Sequence, residues 1–162
     1  MLAVSNTSPI SNLAIIGRLE FLQRRYGVVR IPPAVQNELL ALTHPNGSKS
    51  IQTALSDRWL VVEPLGASPS QKLPFPLDRG ETDAILLACQ LKADVLLMDE
   101  KRGREAARQR GLVVAGLLGE LIHAKLAGWI PSVRGEVRQL RADAGFFVDA
   151  TVEQFILSQV GE

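Results

Sequence analysis

The stretch that decides the fold is Gly80–Glu100, GETDAILLACQLKADVLLMDE. Asp78 precedes it, with Glu81 three positions later, the spacing of a capping box in front of an apolar run. Ala84, Ile85, Leu86, Leu87, Ala88, Cys89 and Leu91 then cover almost every direction around a helix. A helix apolar all round is a buried one. Val95-Leu96-Leu97-Met98 follows as a continuous apolar run without alternation, the pattern of a parallel strand covered on both faces. It ends directly on Asp99-Glu100. In open α/β sheets ligands bind outside the carboxyl ends of the strands, so Asp99 stands where chemistry is usually placed. Lys101-Arg102-Gly103-Arg104 comes next, giving a carboxylate site rimmed by cations.

Outward from this stretch, strands and helices alternate. Short apolar runs at Leu2–Val4, Val28–Ile31, Leu60–Val62 and Leu112–Ala115 read as strands. Helices are predicted from Ser8 as N-cap to Gly17, over Leu19–Tyr26, from Pro33 to about Leu42, over Ser48–Ser56, Lys101–Arg110 and Leu117–Ala127, and from Pro131 to about Ala144. A last one, capped by Asp149, turns Val152, Phe155 and Ile156 inward. The segment 43–47 is a turn, and 64–78, with its prolines, is a surface loop. This order predicts an α/β/α sandwich around a mostly parallel sheet of about five strands.

At 162 residues, the chain is expected to be one domain over 1–162, with a helical extension from about 131. Apolar residues make up 46% and charged residues 22%, which is ordinary for a soluble globular protein. The net charge is +1, so nucleic-acid contact has to come from local clustering. The single cysteine, Cys89, excludes an intrachain disulfide framework. No apolar run approaches the ~20 residues of a membrane span, and MLAVSN lacks the charged start of a signal peptide. The expected location is the cytoplasm, away from membranes.

Four acids ask for an explanation. Glu38 sits on the inward stripe of its helix, between Val35 and Leu39, where a carboxylate is costly unless paired or bound to a cation. Glu81 serves equally as half of a capping box, Asp83 as a favourable charge near a helix start, and Asp99 as a turn or cap residue. Glu81 and Asp83 point to nearly opposite sides, so at most one of the two faces the site squarely. Converging carboxylates repel unless a cation neutralises them. With no cysteine cluster and no spaced histidines, oxygen ligands point to Mg²⁺ or Mn²⁺. Lys101, Arg102, Arg104 and Arg108 form the complementary set for a phosphate backbone, or simply a solvated helix face. Trp59 and Trp129 stand apart, which argues against base stacking.

The ordered set VSNTSPISNLAIIGRL, PPAVQNEL, GETDAILLA, LLMDEKRGR and AGLLGELIHAKLAGWIP resembles the PIN-domain family, in its uncharacterised prokaryotic branch related to VapC-type toxins. The resemblance implies a parallel-sheet α/β/α fold and a metal-dependent ribonuclease using Mg²⁺ or Mn²⁺. It implies metal ligands and catalytic acids at Asn6, Glu38, Glu81 or Asp83, and Asp99, with Ser8 and Glu100 in support. Asn6 departs from the pattern, which usually has aspartate there.

The leading expectation is therefore an endoribonuclease, the toxin half of a toxin–antitoxin pair, with RNA and a small antitoxin protein as partners. The rival is a weak or inactive PIN-fold module that binds RNA or protein. The surplus of aliphatics at Leu13, Ile16 and Leu19, with Phe146, Phe147, Phe155 and Ile156, suits either core packing, a homodimer or an antitoxin helix.

Overall fold

The computed structural model describes residues 1–67, 73, 74 and 76–162; the expected surface loop over 64–78 lies partly outside the described residues. Among them are five strands, β1 Ala3–Ser5, β2 Val29–Ile31, β3 Leu60–Val62, β4 Val95–Leu97 and β5 Val114–Ala115. Their order is β3-β2-β1-β4-β5 and every pairing is parallel. The helices are α1 Thr7–Ile15, α2 Glu20–Tyr26, α3 Pro33–Leu40, α4 Pro45–Ser56, α5 Arg79–Leu91, α6 Lys101–Gln109, α7 Leu117–Leu126, α8 Val133–Ala144 and α9 Ala150–Ser158. The expected α/β/α sandwich is thus observed, with an all-parallel sheet.

The order has a functional consequence. Beyond β1 the chain moves one way to β2 and β3, then returns to place β4 on the other side of β1. Right-handed crossovers put α1–α4 on one face and α5 and α6 on the other. The reversal leaves a crevice at the carboxyl ends of β1 and β4, the switch point at which such sheets bind ligands. The register is set by Ala3 opposite Val95 and Ser5 opposite Leu97.

The core runs through the sheet: Ala3, Val4, Val29, Ile31, Leu96 and Leu97 are fully buried, as are Ala84, Ile85, Leu87 and Ala88 of α5. Truncating one such leucine, Leu96→Ala, removes about 2–5 kcal/mol through lost transfer energy and a cavity. Asp78 and Glu81 form the predicted capping box at the start of α5.

Several boundaries differ from the sequence reading. α1 begins at Thr7 with Asn6 as N-cap, because the Ser8 hydroxyl is spent on Asp99 instead. α4 begins at Pro45, not Ser48; His44 Nδ1 accepts the Gly47 N–H at 3.1 Å, so an imidazole does the work of a cap. α8 starts at Val133 behind Ser132. The inward assignment of Val152 and Phe155 is overturned: they are 44% and 63% exposed, and Ile156 with Leu157 forms the buried edge of α9. Leu13, Ile16, Leu19 and Ile156 are core residues, Phe146 packs against the core, and Phe147 is 84% exposed.

The C-terminal helices are tied down by charge. Glu136 of α8 takes a two-point contact from Arg18, at 3.1 and 2.9 Å. Arg141 pairs with Glu153, joining α8 to α9. The Glu162 carboxylate accepts from Ser132 Oγ and from the Val133 and Arg134 N–H groups, closing the N-terminus of α8 with an anion.

Candidate active site

The site starts from the end of β1. The Asn6 N–H donates to the Leu97 carbonyl at 2.9 Å, holding this residue at the crevice between β1 and β4. Asn6 is 3% exposed. Its Nδ2 donates to Glu100 Oε2 at 3.2 Å, while its Oδ1 is buried with no hydrogen-bond partner among the described residues. Turning the amide over would set Oδ1 against the Glu100 carboxylate, two acceptors facing each other, so the contact dictates the orientation. A buried carbonyl oxygen without a donor costs about 1–3 kcal/mol.

Three carboxylates from other elements, Glu100, Glu81 and Glu38, lie toward this end of the sheet. Glu100 is the N-cap residue of α6, but its side chain makes no cap bond and turns to Asn6. Glu81, 9% exposed, accepts the Asp78 N–H at 3.3 Å. Burial, followed by the charges of Asp78 and Glu100 and more weakly Glu38, pushes its carboxyl above the usual range. Glu38 differs from its sequence reading: it is exposed at the edge of α3 rather than buried on the stripe. It accepts a hydrogen bond from Thr7 Oγ1. Its carboxylate rests against Gly80, where an added Cβ would lie 2.5 Å from Oε1. Glycine at 80 therefore lets α3 bring an acid to the mouth of α5.

Asp99 is turned the other way. Its Oδ1 accepts the Leu117 N–H at 2.7 Å and its Oδ2 the Ser8 hydroxyl at 3.1 Å, while Asn12 Nδ2 donates to Ser8 Oγ at 3.2 Å. The carboxylate thus serves the start of α7, whose own N-cap, Gly116, offers no side chain. Burial raises its pKa, with help from Glu100, against the pull of those two bonds and of Arg104. A Cβ at Gly116 would sit 2.6 Å from Arg104 Nη1 and 3.0 Å from Asp99 Oδ1, so a side chain there would displace both groups.

The structure places Glu81 and Asp83 in different surroundings. Asp83 pairs with Arg79 at 3.6 Å and lines a separate cleft of about 480 Å³ with Glu38, Asn37 and Leu65. Glu81 is the one that senses Glu100. Of the basic set, Lys101 and Arg104 line a larger cleft, about 840 Å³, together with Ser8, Asp99 and Glu100; Arg102 and Arg108 do not. Arg104 donates to the Met98 carbonyl at 2.8 Å, and burial, then Arg108, lowers its pKa. Arg25 and Phe147 also line this cleft. Neither was singled out as a site residue in the sequence, because each comes from an element remote in the chain.

The family model described as DUF3368, a PIN domain, matches residues 2–162. The chain belongs to the PIN-domain family. A similar solved structure is a PilT N-terminus domain protein from the hyperthermophilic archaeon Sulfolobus solfataricus P2. It is 23% identical, with a TM-score of 0.55, over 76% of this chain and 93% of that one, a likeness that speaks for the PIN fold alone. No curated relative matches. PIN domains are typically nucleases and generally use divalent metal ions.

Whether this PIN site fits such an ion is a question of donors. Among the described residues no three of His, Cys, Asp and Glu form a ligand group. What fits is a smaller set of hard oxygens: the unpartnered Asn6 Oδ1, the Glu100 carboxylate beside it and the repelled Glu81. That is the donor chemistry of Mg²⁺ or Mn²⁺. Among the described residues no helix is long and apolar enough to cross a membrane.

Proposed function

We propose that this PIN-domain protein is an endoribonuclease that needs Mg²⁺ or Mn²⁺ and hydrolyses phosphodiester bonds at the β1–β4 crevice. The observation that carries the reading is Asn6 Oδ1, a buried oxygen without a donor among the described residues, on a side chain whose amide meets Glu100, which in turn repels Glu81. Asn6, Glu81 and Glu100 would hold the ion, with Glu38 at the outer rim. When bound, the ion polarises a phosphate oxygen and makes water a nucleophile near neutral pH. Asp99, fixed by Ser8 and the α7 amide, borders the reacting group without moving. Lys101 and Arg104 on the same cleft offset the charge of the phosphate backbone.

The test is RNA cleavage against Mn²⁺ concentration by wild type, Asn6→Asp and Asn6→Ala. The added carboxylate of Asn6→Asp should tighten metal binding and raise cleavage, because the cation is the largest local charge. Its metal-free melting temperature should fall. Asn6→Ala should lower both affinity and rate. One second reading has its own support: Asn6 is neutral where the family usually has aspartate, and the acids do not form a three-carboxylate group. That reading is a PIN-fold module that binds RNA or protein without cleaving. Equal inactivity of all three proteins with Mn²⁺ would establish it for that substrate. The toxin role rests on the sequence resemblance, and co-purification with the small product of an adjacent reading frame tests it.

A further inference from the structure

We propose that Phe147 is a base-stacking shelf, so that the cleft beside the acids takes single-stranded nucleic acid with one base on this ring. The inference deepens the nuclease reading and rests on it. A lone exposed apolar side chain is ordinary, but Phe147 differs in how it is held. It is 84% exposed, yet both neighbours are anchored. Phe146 packs on the core and its N–H donates to the Leu140 carbonyl at 3.1 Å. Val148 is 6% exposed, and its carbonyl accepts from Arg141 Nη2 at 3.0 Å. Asp149 caps α9 immediately afterwards. The backbone is therefore fixed while the ring lines the wall of the cleft of about 840 Å³, and no backbone ordering is needed on binding.

The same cleft is lined by polar and charged groups: Ser8, Asp99, Glu100, Lys101 and Arg104. Phosphates suit the cations and bases suit the phenyl ring, which is the division found in single-strand grooves. An apolar helix face laid here would cover the charges of Lys101 and Glu100, a costly arrangement. A duplex keeps its base faces stacked inside and has none to offer the ring.

The experiment is fluorescence anisotropy in EDTA, where cleavage cannot interfere. Wild type, Phe147→Ala and Phe147→Trp are titrated with a short labelled single-stranded RNA, the same strand with abasic sites, and a duplex. Phe147→Ala should weaken binding of the intact strand roughly tenfold, within the range for one stacked base. Phe147→Trp should restore it, and the abasic strand should not distinguish the proteins. Unchanged affinity of Phe147→Ala overturns the shelf, as does an equal loss on the abasic strand or no binding by wild type. Light scattering in which Phe147→Ala turns a dimer into a monomer would overturn it in favour of a protein interface. The nuclease reading stands or falls separately, on Mn²⁺-dependent cleavage by wild type.

Discussion

Glu120 and Glu81 are both buried carboxylates, at 2% and 9% exposure, and the molecule treats them in opposite ways. Glu120, on α7, receives Arg25 at 2.9 Å and the Tyr26 hydroxyl at 2.7 Å; burial and this carboxylate together push the Tyr26 hydroxyl pKa upward. Glu136 is likewise held by Arg18. At the carboxyl edge of the sheet, none of Glu38, Glu81, Asp99 and Glu100 forms a salt bridge among the described residues. The first pair of acids is balanced from within the protein. Among the described residues the second group lacks that balance, and uncompensated charge in a crevice is the mark of a site whose counter-charge comes from outside.

The largest effect should come from removing one of the edge acids. Glu100→Gln is expected to lower Mn²⁺-dependent cleavage about 100-fold or more, the scale of losing one preorganised electrostatic partner. It should also raise metal-free stability slightly by relieving repulsion. Unchanged Mn²⁺ affinity by calorimetry would remove Glu100 from the ligand set. Asp99→Asn is the companion, since it keeps the shape that meets Leu117 N–H while removing the charge.

The balanced side should behave in reverse. Glu120→Ala strips the partner from Arg25 and leaves the Tyr26 hydroxyl without its acceptor. Breaking a buried pair costs about 3–5 kcal/mol; Arg25 keeps 28% side-chain exposure, which favours the low end. A fall in melting temperature of roughly 6–12 °C follows, with the edge acids and metal affinity untouched. A drop of under about 2 °C, the low end for 1 kcal/mol, would show that the pair contributes little.

Gly80→Ala separates position from charge. Alanine favours the helix by about 1 kcal/mol over glycine, but its Cβ would lie 2.5 Å from Glu38 Oε1. The flexible glutamate end moves away, so stability should change by less than about 1 kcal/mol while metal affinity drops. Unaltered affinity would make Glu38 a bystander.

The smallest effect is a difference in pH response. Glu81 and Asp99 have raised carboxyl pKa values, so their charged forms oppose folding without metal. That penalty is relieved as pH falls through the raised values. Glu153 is held low chiefly by Arg141. For Glu162, burial alone would raise the pKa, but the Arg134, Val133 and Ser132 donors outweigh it and bring it down. Their contribution is complete above the ordinary glutamate value of about 4.3 and is lost as pH falls through the lowered ones. On acidification of the metal-free protein, NMR signals of α9 should lose dispersion before those of α5. Simultaneous loss would erase the distinction.

Much of this was legible in the chain. The capping box at Asp78 and Glu81, the all-apolar helix and the strand ending on Asp99 are local patterns, and each fold element follows from one. What failed was set by distant partners. Ser8 looked like a cap, yet its hydroxyl faces Asp99 across 91 positions. Glu38 looked buried by helical phase, but its end of α3 opens beside Gly80. Phe155 followed the helix period inward, and α9 instead buries Ile156 and Leu157. Periodicity specifies a face, and only tertiary packing specifies what meets it.

Glu81 serves two masters, since its Oε2 accepts the Asp78 N–H while its charge belongs to the acid cluster. Whatever takes that carboxylate, a proton or a cation, takes it in part from the first turn of α5. The Asp78 amide is consequently a reporter built into the backbone: its proton should trade with deuterium faster as the site fills, while the Glu81 amide, held by Asp78 Oδ1 at 2.8 Å, keeps its protection. The two halves of one capping box would then separate occupancy from unfolding in a single spectrum.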